Sequence, residues 1–260
     1  MNMNMNLIDT HCHLADRRLR CDIDQVISTA AAAGVNMMIS AASDIPDARI
    51  AADIASAHRE VFCTAGVHPH HASEQGESYL ADIEQLAAHE RNVAIGEIGL
   101  DYHYDYSPRP RQQEVFAEQL ALAARLGKVI VIHTREAFDD TMAIVRDSGV
   151  DGRAMVFHSF TGGAAEVRRI LDIGAMVSFS GIATFKTADD IRAGVLIVPD
   201  DRILVETDAP YLSPEPVRNV RVNQPAHVAH VAVRLASLRG TAPEQFAEQT
   251  TANARRFFGL

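Results

Sequence analysis

The chain has 260 residues, 47% of them hydrophobic and 22% charged, and a formal net charge of −10. This length and apolar content suit one large α/β domain with a sizeable core and exclude a disordered chain. The acidic balance disfavours a surface that wraps long duplex DNA in distributed positive charge, but leaves room for a small or end-on anionic substrate held by local metal charge.

In chain order, residues 1–6 (MNMNMN) are polar and of low complexity, and are expected to be a flexible tail ahead of one domain spanning 7–260. Short apolar runs predict eight strands, at 7–10, 35–40, 62–65, 93–95, 129–132, 154–157, 176–179 and 203–205. The runs are continuously apolar, as in parallel strands buried on both faces. Helical patterns such as 111–126 and 138–147 alternate with them, and Pro110 suits a first helical turn. Eight βα units predict a single-domain α/β fold, a TIM-type (β/α)8 barrel. An open doubly wound sheet is the runner-up, weakened because no G-x-G-x-x-G follows the first strand. The stretch 210–225, with four prolines, reads as a long irregular loop after the last strand. Cys12, Cys21 and Cys63 lack a repeating spacing, which points to reduced thiols and a cytoplasmic setting. No apolar run reaches the ~18 residues of a membrane span. Neither a membrane nor a stable protein partner is expected.

The polar residues that end the strands carry the chemistry. His11 and His13 close the first strand, Glu97 follows the fourth, His133 and His158 end the fifth and sixth, and Glu206 and Asp208 end the eighth. On a strand, positions i and i+2 share a side, so His11 and His13 can aim two imidazoles at one point. A single histidine at a strand end is usually a hydrogen-bonded rim residue; five strands each ending in a ligand-type residue form a pattern. Four imidazoles and two carboxylates at the C-terminal face of a barrel can hold two divalent metal ions with positions open for water. Two close cations need a bridging anion. The only two lysines, Lys128 and Lys186, are poorly placed for a carbamylated bridge, and Glu97, flanked by Gly96 and Gly99, is the natural substitute. Asp208 is the candidate general base, orienting and deprotonating a metal-activated water, and Glu206 is assigned a structural role. Zn, Mn, Co, Fe and Mg all suit such a mixed site.

Other mouth residues give weaker signals. His68 is a candidate substrate contact, whereas His70 and His71 are expected to be solvated. Tyr102, Tyr104 and Tyr106 lie after the fourth strand and suit either base stacking or loop packing. Arg135, Arg218 and Arg221 could hold phosphates through their planar forks.

Several blocks, in order, resemble the TatD family of amidohydrolase-like hydrolases: IDTHCHL (8–14), GVHPH (66–70), GEIGLDYHYDYSPRPRQ (96–112), VIHTREA (131–137), FHSFTGG (157–163), SFSGIATFK (178–186) and VETDAPYLSP (205–214). The resemblance implies a barrel with His11, His13, Glu97, His133, His158 and Asp208 as metal ligands. It also implies metal-dependent phosphodiester hydrolysis, typically deoxyribonuclease activity and often exonucleolytic on single strands. The chain departs from the family pattern at Ala15, where Asp or Asn is common, and at Arg221-Val222-Asn223-Gln224-Pro225, where an R-N-E-P segment is common. Asn223 in that segment joins His68, Tyr102, Arg135 and Arg221 as an expected substrate contact. The expected partner is therefore a nucleic acid substrate, short or single-stranded. Hydrolysis of an amide, lactone or aminoacyl ester by the same site is the alternative, and a non-catalytic metal-binding protein is the second.

Overall fold

The computed structural model describes residues 5–260. The strands β1 (Leu7–Cys12), β2 (Val35–Ser40), β3 (Val61–Ala65), β4 (Asn92–Asp101), β5 (Val129–Arg135), β6 (Met155–Phe157), β7 (Met176–Phe179) and β8 (Ile203–Val205) form one sheet in chain order, every neighbouring pair parallel. Just beyond β8 the chain returns to β1. Asp208 N–H donates to His11 O at 2.9 Å, His13 N–H donates to Ala209 O at 2.7 Å, and Thr10 Oγ1 donates to Val205 O at 3.0 Å. Helices lie between successive strands, and the fold is a TIM-type (β/α)8 barrel.

Alternation along the strands separates two apolar layers. One set, including Ile95, Ile130, Ile132, Phe157, Val177 and Val205, packs outward against helices through residues such as Phe116 and Leu235. The other set, Ile8, Ile39, Ala94, Val131, Val156, Met176 and Leu204, meets inside the barrel. Phe258 and Ala254 of the last helix, Pro243–Phe258, close that interior from below. Each of the larger aliphatic and aromatic side chains contributes roughly 1.5–3 kcal/mol by leaving water. The same inward parity then carries upward: from Val131 to His133, from Val156 to His158, and from Leu204 through Glu206 to Asp208. Thr10 and Ser178 contribute polar atoms to the layer between, their hydroxyls 3.4 Å apart.

Two local departures from regular pairing shape the C-terminal rim. Asp9 lies opposite Met38 and Cys12 opposite Ser40, so β1 carries one extra residue there. Ile95 lies opposite Ile130 and Ile98 opposite Ile132, so β4 carries one extra residue as well. These are β-bulges, which bend a strand and re-aim its side chains. His11 sits inside the first and Glu97 inside the second.

The apolar run predicts that the fourth strand ends at residue 95, whereas β4 continues to Asp101. Its glycines, Gly96 and Gly99, are close-approach positions. A Cβ on Gly99 would fall 1.9 Å from His133 O, at a φ of +145°, and one on Gly96 would fall 2.7 Å from Val131 Cβ. They let β4 pass tightly against β5. Met5 is buried, and Asn6 accepts bonds from Asn36 Nδ2 at 2.7 Å and Thr251 Oγ1 at 2.7 Å. The rest of the tail, residues 1–4, lies outside the described residues. Among the described residues, no helix is long and apolar enough to cross a membrane.

Candidate metal centre

Glu97 is buried at the centre of the C-terminal rim, and its two oxygens face different partners. Oε2 lies 3.2 Å from His11 Nε2 and 3.7 Å from His13 Nε2. Oε1 lies 2.7 Å from His158 Nε2, 2.8 Å from His133 Nδ1 and 3.4 Å from His68 Nε2. Asp208 Oδ1 faces the first set, 3.4 Å from His13 Nε2 and 3.8 Å from His11 Nε2. The donor atoms group as His11–His13–Glu97, His68–Glu97–His133 and His11–His158–Asp208, each within 4.8 Å. A carboxylate so placed can hold one cation per oxygen.

The donor chemistry fits divalent cations. His11 and His13 bring two Nε2 atoms within 3.3 Å of each other, and the buried Nδ1 of each has no hydrogen-bond partner. Two ring nitrogens aimed at one point are an arrangement that a shared cation explains. The electrostatics agree. Burial alone would raise the Glu97 carboxyl, but His158, His68 and His11 around it hold it well below the usual carboxylate range. Burial would also raise Asp208, and the bond to His13 outweighs it, leaving the group lowered. Asp208 and Glu97 overcome burial at His13, pushing it up to about 9, while Glu97 and Glu206 raise His158, and Asp101 and Glu97 raise His133. The stacked rings of His11 and His158, centroids 3.9 Å apart, cannot both comfortably be charged, and His11 is lowered by burial and by His158. The site therefore demands positive charge that five crowded imidazoles supply poorly as protons, and that divalent ions would supply directly.

Outer partners fix the rings. Glu206 Oε1 accepts from His158 Nδ1 at 3.2 Å, and Asp101 Oδ2 lies 3.2 Å from His133 Nε2. Each contact leaves the opposite ring nitrogen directed at Glu97, the usual arrangement behind metal-bound histidine. Asp208 itself holds a left-handed backbone, φ 57°, as does Ser159 beside His158, φ 40°.

The rim encloses a cavity of about 460 Å³ lined by His13, His68, Glu97, His133, His158 and Asp208, together with Arg135, Tyr104 and Tyr106. Three expected substrate contacts are not among its lining residues. Tyr102 turns aside, its hydroxyl donating to Asp140 Oδ2 at 2.7 Å. Arg221 is exposed on the long loop. Asn223 is fully buried and clamps that loop: its Nδ2 donates to Thr207 O at 3.0 Å and Tyr211 O at 2.6 Å. Arg218 packs over the Phe185 ring instead. His68 joins the donor cluster itself. His70, expected to be solvated, is half-buried, lines the cavity and sits 3.0 Å from Asp101 Oδ2. Asp101 escapes sequence reasoning because the apolar run of β4 breaks at Gly96, five residues before the strand's last residue. Along an unbroken strand, positions 97, 99 and 101 share a side, and that alternation finds it.

A parallel barrel with such a rim of imidazoles and carboxylates has the architecture of a metal-dependent hydrolase. Residues 8–259 match the model of the family described as TatD related DNase, and the chain belongs to that family. It is 39% identical over 254 residues to YabD of Bacillus subtilis, named an uncharacterized metal-dependent hydrolase, covering 98% of this chain and 99% of that one. It is 34% identical over 258 residues to a Klebsiella pneumoniae protein named 3'-5' ssDNA/RNA exonuclease TatD, covering 98% of each. The solved structure of the TatD homologue YjjV from Escherichia coli superposes with a TM-score of 0.93 at 27% identity, covering 99% of this chain and all of that one.

Proposed function

We propose that this protein is a two-metal nuclease that removes nucleotides from single-stranded nucleic acid by attack of an activated water on a phosphodiester. The observation that carries this reading is the division of the two Glu97 oxygens between separate imidazole sets. His11, His13 and Asp208 would hold one ion, His133 and His158 the other, with His68 beside them, and Glu97 would bridge. Two divalent ions bound there would polarise a phosphoryl oxygen and make water a strong nucleophile near neutral pH. The nitrogen-rich donor set favours Zn, Mn, Co or Fe over Mg.

The chain's own groups do the rest. Asp208 stands at the cavity wall as an ionised carboxylate, placed to orient a water and accept its proton. Glu206 and Asp101 hold the His158 and His133 rings so that no reorganisation is needed when substrate arrives. Arg135 lies on the cavity wall, where its guanidinium can meet a phosphate. The Klebsiella relative, similar along its whole length, supports nucleic acid as the substrate class.

The test is a matrix of Zn, Mn, Mg, Co and Fe against single-stranded DNA, duplex DNA, RNA, and panels of carboxylic esters, lactones and amides. The expected result is metal-dependent release of mononucleotides from single strands. Turnover of esters or amides with none of any oligonucleotide would replace this reading with carbonyl hydrolysis at the same site.

A further inference from the structure

Planar groups gather at one edge of the cavity mouth without a flat partner on the solvent side. The Arg135 guanidinium lies 4.8 Å from the centroid of the Tyr104 ring, and the Tyr104 and Tyr106 rings stack 5.3 Å apart, 19° from parallel. Tyr106 is 65% exposed, the most exposed of the large hydrophobic side chains among the described residues, although it lines the cavity.

The backbone beneath these rings is held firmly. Asp101 Oδ1 accepts from the N–H groups of His103 and Tyr104, both at 3.0 Å. Next to Tyr106, Ser107 is fully buried, its Oγ donating to His70 O at 2.9 Å and its carbonyl accepting from Gln112 Nε2 at 2.8 Å. Between the two tyrosines, Asp105 takes a left-handed backbone, φ 54°, which turns the chain where the rings come to face each other. The pair is also tied to the ion centre. The His70 ring meets the Tyr106 ring edge-on at 4.8 Å, while its Nε2 contacts Asp101, which in turn holds His133.

A pre-positioned, solvent-facing aromatic ring beside a phosphodiester site suits a nucleobase. Every base offers a π-face, so such stacking tolerates any sequence, and a base in a duplex is already stacked and unavailable. Resting on the nuclease reading, we propose that Tyr106 is the platform for one nucleobase flanking the scissile phosphate, backed by Tyr104 and Arg135. The preference for single strands then arises from this ring and not from the ions.

Binding of hydrolysis-resistant phosphorothioate single strands, followed by fluorescence anisotropy, tests this. One strand carries all its bases; two others carry an abasic nucleotide at the terminal or the penultimate position. Wild-type protein should bind the complete strand between about 5- and 150-fold more tightly than one of the two abasic strands. Tyr106→Leu should abolish that preference and Tyr106→Trp should keep it, with both variants unfolding at the wild-type temperature. A Tyr106→Leu protein that retains the wild-type ratio overturns the platform while leaving the nuclease reading intact. A wild-type protein that neither binds nor cleaves any strand overturns both.

Discussion

His158 Nδ1 lies 3.2 Å from Glu206 Oε1, and Ser159 N–H donates to the same oxygen at 2.6 Å. Glu206 thus sets the His158 ring through one contact and its backbone through another, on a residue it does not adjoin in sequence. Glu206→Gln keeps an acceptor for Ser159 but loses the charge behind the imidazole. Its expected effect is a loss of roughly 10- to 100-fold in metal affinity with the fold retained. Isothermal titration of the metal-free protein checks it; an unchanged affinity would make Glu206 a packing residue only.

Glu97 and Asp208 should fail differently. Glu97→Ala removes the carboxylate whose two oxygens face the two imidazole sets and should lower metal content from two ions toward one or none, with activity lost. Asp208→Asn keeps an oxygen near His13 but not a base, and should slow turnover by roughly 10²–10⁴-fold while retaining more metal. Elemental analysis alongside turnover separates these outcomes. Equal metal content in both variants would argue against a bridging Glu97.

Metal removal should cost stability. Crowded buried imidazoles and carboxylates lose the cations that balance them, and ligand bound only to the native state stabilises by about 2.7 kcal/mol at a hundredfold excess over Kd. For a chain of this size that is a fall in Tm of about 5–10 °C on chelation. Calorimetry with and without chelator measures it, and coincident melting curves would speak against the site being a metal centre.

Asn223 makes a contrasting case. It accepts from Gln224 N–H and sits 2.8 Å from His227 Nδ1 while donating to Thr207 O and Tyr211 O. Asn223→Ala leaves buried groups unpaired at roughly 1–3 kcal/mol, so Tm should fall even in metal-free protein. A variant with wild-type Tm and only a raised KM would restore the substrate-contact role that the sequence suggested.

The barrel was legible because eight apolar runs of strand length alternate with amphipathic stretches, and backbone pairing leaves such a pattern few solutions. The convergence of His11, Glu97, His133, His158 and Asp208 followed from it, since parallel strands of one barrel end on the same rim. What the sequence could not give was local. Gly96 and Gly99 looked like a strand end, because close passage against Val131 and His133 is a property of the neighbouring strand. Asp101, His70 and the burial of Asn223 were hidden for the same reason.

The linear order by itself determined the type of fold and the inventory of donor groups, because hydrophobic period and residue chemistry are written along the chain. Only the tertiary structure decided how those donors divide around Glu97, which carboxylate stands behind which ring, and which tyrosine meets solvent. Those assignments depend on two bulges and on contacts between strands far apart in sequence, and no periodicity along one strand encodes its distance to another.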